Sequence, residues 1–233
     1  MALATVFLSV EGPAKMVPTG NVEVLQSACV LPDGDQPINI ILRTRPGSKQ
    51  AELLQTKVKG DLLMVSGTLH LEEALEGIFV PVITASVICK GYEDQYFNEV
   101  QLIGNLAKPG RQAEKSCSRS LGESRPVRKT DGDGWDEMTD WFILRGYTSN
   151  GGGRSMADRL NDAPKGSLVS VSGTLSQRLS KEKEPYVEVK ARRIRVHKRG
   201  SNGGGAPDPA AGKAAGGYGH EEFTRSDDMP DNW

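Results

Sequence analysis

The pentapeptide Val65-Ser66-Gly67-Thr68-Leu69 returns 106 residues later as Val171-Ser172-Gly173-Thr174-Leu175. The same offset pairs Gly60 with Gly166, Ala51 with Ala157, Leu54 with Leu160, Ala85 with Ala191 and Ile88 with Ile194, without a gap. Upstream it drifts: Ile41-Leu42-Arg43 resembles Ile143-Leu144-Arg145 at 102, and Val6 lies near Val100 at 94. A duplication of this length is a strong constraint, because the second half must repeat the first, with loop lengths absorbing the drift.

Each copy reads in one order. An alternating strand (Val6–Val10; Val100–Ile103) leads to a less distinct second strand, clearer in the first copy from Val22 onward. A third strand (Ile38–Leu42; Trp141–Leu144), a short helix (Ala51–Thr56; Met156–Asn161) and a fourth strand ending in the repeated pentapeptide follow. A hairpin then gives the fifth strand (Val80–Ile88; Tyr186–Val196). Five strands with a helix between the third and fourth is the order of the OB-fold. The expected class is therefore all-β: two tandem five-stranded OB-fold barrels, each with a short helix, plus a disordered C-terminal tail. The glycine inside each fourth strand marks where so small a closed sheet needs a bulge or sharp coil. Expected boundaries are 1–94 for the first barrel, 97–199 for the second, 200–225 for a Gly/Ala/Pro-rich linker and 226–233 for an acidic tip. Nothing in the linker can bury a core.

The net charge of −1 conceals a segregation. Residues 1–96 hold 7 Lys+Arg and 11 Asp+Glu, residues 97–199 hold 20 and 13, and residues 200–233 hold 2 and 6. The basic middle suits a polyanion, and the acidic end can compete with that polyanion or attract basic partners.

Catalysis finds no support. His70, His197 and His220 are scattered, and Cys29, Cys89 and Cys117 show no metal-ligand spacing, which fits reduced thiols. The Gly151-Gly152-Gly153-Arg154-Ser155 run lacks the pattern of a P-loop. The expectation is a protein without enzymatic activity, cofactor or metal. No apolar stretch is long enough to span a membrane, and the opening MALATVFLSVEG, with no basic residue ahead of its apolar run, reads as a strand.

Several segments of the second copy together resemble the bacterial single-stranded DNA-binding protein family. They are Asn98 to Leu106, Gly134-Trp135 through Thr139-Asp140-Trp141, Gly166 to Leu175, and Pro185-Tyr186-Val187-Glu188-Val189, followed by a Gly-rich linker ending in acids, a proline and an aromatic. The likeness covers roughly residues 97–233, and the first copy joins it only through the repeat. Between Leu106 and Trp135 the run KSCSRSLGESRPVRK is polar where the family has an alternating second strand, and Trp233 stands where the family usually has Phe.

The resemblance implies sequence-independent binding of single-stranded DNA in replication, recombination and repair. It also implies a homodimer presenting four OB folds, and a cytoplasmic, nucleoid-associated protein. Trp141 is placed as an outward stacking residue, with Trp135 close by in the chain and Tyr186 at the start of the fifth strand as further candidates. Alternation puts Trp141 and Ile143 on one face of the third strand and Phe142 and Leu144 on the other. The expected phosphate partners are Arg145, Arg154, Arg178, Lys181, Lys183, Lys190 and Arg192, with the Arg178–Lys183 hairpin foremost. On the fifth strand, alternation groups Lys190, Arg192 and Ile194 against Val189, Ala191 and Arg193. Asp227, Asp228, Met229, Pro230, Asp231 and Trp233 form the expected docking peptide for replication and repair proteins. The first copy has no Trp and an acidic HLEEALEG hairpin, which suggests a role in oligomerisation. A primosomal or RNA-binding OB accessory protein, or a protein-interaction hub, is the competing reading.

Overall fold

The structure, a computed structural model, describes residues 1–20, 22–32, 36–93, 95–129, 134–149, 153–180 and 182–198. Lys181, the linker and the tip residues Asp227 to Trp233 lie outside the described residues.

The first repeat comprises β1 (Ala2–Val10), β2 (Lys15–Thr19), β3 (Val22–Leu31), β4 (Ile38–Thr44), α1 (Lys49–Gln55), β5 (Leu62–Leu75) and β6 (Ile78–Lys90). The second comprises β7 (Asn98–Leu106), β8 (Arg111–Ala113), β9 (Ser116–Arg128), β10 (Trp135–Tyr147), α2 (Met156–Asp162), β11 (Leu168–Leu179) and β12 (Pro185–Lys198). Each repeat thus adds a short strand, β2 or β8, to the expected five; both are hairpin partners along the edge of the second main strand.

Hydrogen bonding closes each repeat on itself. In the first, β1 pairs with β5, β5 with β6, β6 in parallel with β4, β4 with β3, and β3 again with β1. In the second, β7, β11, β12, β10 and β9 follow the same circuit and β9 returns to β7. Closure with a parallel third-to-fifth pairing is the OB topology. Alternation supplies the interiors: Val6, Leu8 and Val10 face inward with Ile38, Ile40 and Leu42 in one repeat, and Val100 and Leu102 face inward with Phe142 and Leu144 in the other.

The glycine of each repeated pentapeptide sits at a bulge. The register slips between Ser66/Gly67 against β6 and between Ser172/Gly173 against β12. A Cβ on Gly67 would collide with the Thr84 carbonyl oxygen, and one on Gly173 with that of Lys190. Bulge and glycine recur together because tight strand coiling leaves no room there for a side chain. The bulge also revises the strand-five alternation. Val189 and Ala191 point inward, Arg192 and Arg193 are both exposed, and Ile194 turns back into the core. Ile194 therefore does not share a face with Lys190.

Ladder register refines the repeat offset as well. Val6 pairs with Val65 and Leu102 with Val171, which equates Val6 with Leu102, not with Val100. With that offset of 96 the two repeats meet symmetrically. β1 and β7 pair antiparallel, with Ala4 opposite its own counterpart Val100, so that one ladder runs through both barrels. The Met1 ammonium donates to the Ile103 carbonyl at 3.1 Å and pairs with buried Glu123 at 2.7 Å across this junction.

Strand β9 explains why its sequence conceals it. Arg119 is 3% exposed, yet its guanidinium donates to the carbonyls of Leu160 (2.8 Å), Ala163 and Ala107 (3.0 Å). The first two belong to the C-terminal end of α2, where helical carbonyls lack partners. At the other end Ser155 and Asp158 form a capping box. A buried arginine that caps a helix breaks the hydrophobic alternation without breaking the strand.

Candidate nucleic-acid interface

Four strands of the second barrel carry one continuous outer face. Trp141 on β10 lies opposite Gly122 on β9, and Ile143 pairs with both Ser120 on β9 and Glu188 on β12. On β12 the next outward residue toward the hairpin is Tyr186, which pairs with Arg178 on β11. A row Gly122, Trp141, Tyr186, Arg178 therefore crosses the sheet, above a second row of Ser120, Ile143, Glu188 and Ser176.

Phe142 is buried and Trp141 half-buried, so the two aromatics divide between core and outer face as alternation requires. Gly122 shapes the platform: a Cβ there would lie 3.0 Å from Cζ3 and 3.1 Å from Cη2 of the Trp141 indole. The ring thus rests on bare backbone.

Beneath the aromatic row lies an ionic network. Glu188 is 1% exposed; its Oε2 accepts from Arg145 Nε at 2.5 Å and its Oε1 from Arg178 Nε at 2.8 Å. Arg145 also donates to Ser116 Oγ at 3.2 Å and to the Tyr186 hydroxyl at 3.4 Å, and Arg178 Nη2 donates to the Tyr147 hydroxyl at 2.6 Å. Burial works against the charge on Arg145, but the bond to Glu188 outweighs it and the guanidinium pKa is raised. Burial, helped by Glu188, pushes the Tyr186 phenol up. Arg145 is thus buried and fully engaged, a brace under the face. The Arg178 side chain keeps 39% exposure.

The remaining sequence-derived candidates divide. Lys190 is half-buried beside Arg145 in the ladder, and Lys183 is exposed on the 180–184 hairpin, with φ 65 at the turn. Trp135 is 68% exposed on the β9–β10 ribbon beyond the barrel, opposite exposed Arg128. Arg192 sits at the bulge, and Arg154 pairs with Asp162 in a pocket lined by Ile194 and Val196. Eight residues of strand separate Ile194 from Tyr186, roughly 25 Å, so Arg154 does not join the aromatic row. Sequence reasoning missed Gly122, Tyr147, Glu188 and Arg128. Glu188 was legible as the one acid in an otherwise apolar strand start, whereas Gly122 and Arg128 required the register of β9.

The first barrel repeats the scaffold without the platform. Arg43 stands where Arg145 does, because Ile41 pairs with Val82 as Ile143 pairs with Glu188. Its partner is different: Arg43 binds Glu72 through both terminal nitrogens, Nη2 at 2.7 Å, and Gln26 through Nε at 2.9 Å, while His70 Nε2 lies 3.0 Å from Glu72. At the places of Trp141, Tyr186, Glu188 and Arg178 the first barrel has Asn39, Val80, Val82 and Glu72.

Fold and face together define a class: a tandem OB-fold chain whose two barrels share a ladder and whose second barrel, among the described residues, carries the aromatic and cationic face. No family model and no curated protein matches the sequence. Among solved structures, the chain is similar to the wild-type single-stranded DNA binding protein from Thermus aquaticus. The TM-score is 0.58 at 19% identity, over 88% of this chain and 97% of that one. A deletion mutant of the same protein gives a TM-score of 0.56 at 18% identity, over 89% and 98%. The fold is that of the Thermus protein along nearly its whole length.

Proposed function

We propose that this chain binds single-stranded DNA without regard to sequence, through the outer face of its second barrel, and serves replication, recombination and repair as a binding protein and not as an enzyme. The observation that carries this reading is the row Gly122, Trp141, Tyr186 and Arg178, which places two aromatic rings beside a guanidinium on an OB face. Non-specific single-strand sites are built from such stacking platforms and cations. Trp135 with Arg128 on the ribbon, and Lys183 on the hairpin, extend the face. The Thermus aquaticus protein of the same architecture is by its name a single-stranded DNA binder.

The first barrel, with Asn39 at the stacking position and an acidic hairpin, serves assembly in this reading, in a homodimer that presents four barrels. The acidic tip, Asp227 to Trp233, recruits replication and repair proteins. No helix among the described residues is long and apolar enough to cross a membrane, and a nucleoid-associated place in the cytoplasm accords with the proposed ligand.

The test is titration of dT oligomers of increasing length, followed by tryptophan fluorescence at low and high salt. Strong quenching with length-dependent, salt-weakened binding is the expected result. Flat fluorescence with no retention at low salt would remove the reading and leave a protein-binding scaffold.

A further inference from the structure

Resting on that reading, we infer that Arg178 is the phosphate seat of the second barrel, with Glu188 and Tyr147 as the residues that position it. The Arg178–Glu188–Arg145 group holds two guanidiniums against one carboxylate, so it carries one net positive charge. Glu188 Oε2 and Ser116 engage Arg145, which is 3% exposed and cannot reach a ligand. The surplus charge resides on Arg178. Its Nε is fixed by Glu188 and its Nη2 by Tyr147, at 2.8 and 2.6 Å. A guanidinium has five N–H donors, so its remaining N–H groups are available to a phosphodiester whose base lies on Tyr186 or Trp141. Fixing the fork in advance removes most of the side-chain entropy that a flexible cation loses on binding.

The duplication supplies an internal control. Arg178 pairs with Tyr186 on the neighbouring strand and Glu72 pairs with Val80, so the two occupy equivalent positions. In the first barrel this place carries the carboxylate that neutralises Arg43, and an anion would meet Glu72 there. One position, occupied by opposite charges, leaves one face with a surplus cation for phosphate and the other with a neutralised ion pair.

The experiment uses the full chain, a dT oligomer and the slope of log affinity against log salt. Arg178→Met is expected to flatten the slope by about 0.7, the share of one phosphate on a single strand. Arg178→Lys should keep the slope while binding more weakly, because the charge survives and the fork does not. Tyr147→Phe, a mild change that tests positioning even if Arg178→Met folds poorly, should weaken binding several-fold with the slope unchanged. Wild-type binding with an unaltered slope and affinity in Arg178→Met, or unaltered affinity in Tyr147→Phe, would overturn the assignment and leave the single-strand reading standing. Absence of salt-sensitive binding by the wild type would remove that reading itself.

Discussion

Trp141 lies directly across the β9–β10 ladder from Gly122, and a Cβ at 122 would press on its indole at 3.0 Å. The pair therefore acts as a unit. Trp141→Ala should weaken dT binding roughly 5- to 150-fold, the effect of ~1–3 kcal/mol of lost stacking. Gly122→Val should produce a comparable loss by pushing the ring off its seat, although the tryptophan is still present. Fluorescence titration beside thermal unfolding checks this; an unfolding midpoint that falls along with affinity would point to a packing role instead.

Acid should loosen the first barrel through Glu72. Burial pushes its carboxyl up, but hydrogen bonds from His70 and Arg43 outweigh burial and hold it at about 2, against 4.5 ordinarily. The folded form thus binds fewer protons than the unfolded chain between these values. The stabilisation is full above about pH 4.5 and is lost as pH falls toward 2. Urea midpoints measured from pH 5 to 2.5 should decline, and Glu72→Gln should flatten that part of the decline.

Arg119→Met should destabilise the second barrel by on the order of 3 kcal/mol, because the carbonyls of Leu160, Ala163 and Ala107 lose their donor in a buried place. Loss of helix α2 protection in hydrogen exchange should accompany it. Retained protection would mean that water replaces the guanidinium.

Gly67→Ala and Gly173→Ala should each lower stability by about 1–3 kcal/mol, since the added methyl collides with a backbone carbonyl across the bulge. Similar losses from both are expected, because the bulge is common to the two repeats. Chemical denaturation of the two variants side by side measures this.

Of the three thiols only Cys89 is exposed; Cys29 and Cys117 are buried. Burial, against an opposing hydrogen bond to Ser27, pushes the Cys29 thiol up to about 12, and burial likewise raises Cys117 despite the nearby Arg119 and Arg145. A maleimide at neutral pH should label the native protein once, and Cys89→Ser should remove the rapid label. Two or three rapid labels would show that a barrel opens readily.

The duplication, the strand order, the bulge glycines and the division of Trp141 from Phe142 were all legible in the sequence. Each rests on a local rule: a repeated segment must fold twice, a strand alternates with period two, and a closed sheet bulges where a glycine permits it. The course of β9 was not legible, because Arg119 and Glu123 are buried on partners that come from α2 and from the Met1 ammonium just ahead of β1. Nor did the list of cations reveal which of them are spent. Arg145 on β10 and Arg178 on β11 are the same residue type on the two strands that flank β12, and both bind the carboxylate of Glu188, 43 residues from Arg145 in the chain, yet Arg145 is buried under the face and Arg178 keeps an exposed edge. Charge and alternation are properties of the sequence, whereas neutralisation depends on which strand closes beside which, and that is settled only when the barrel forms.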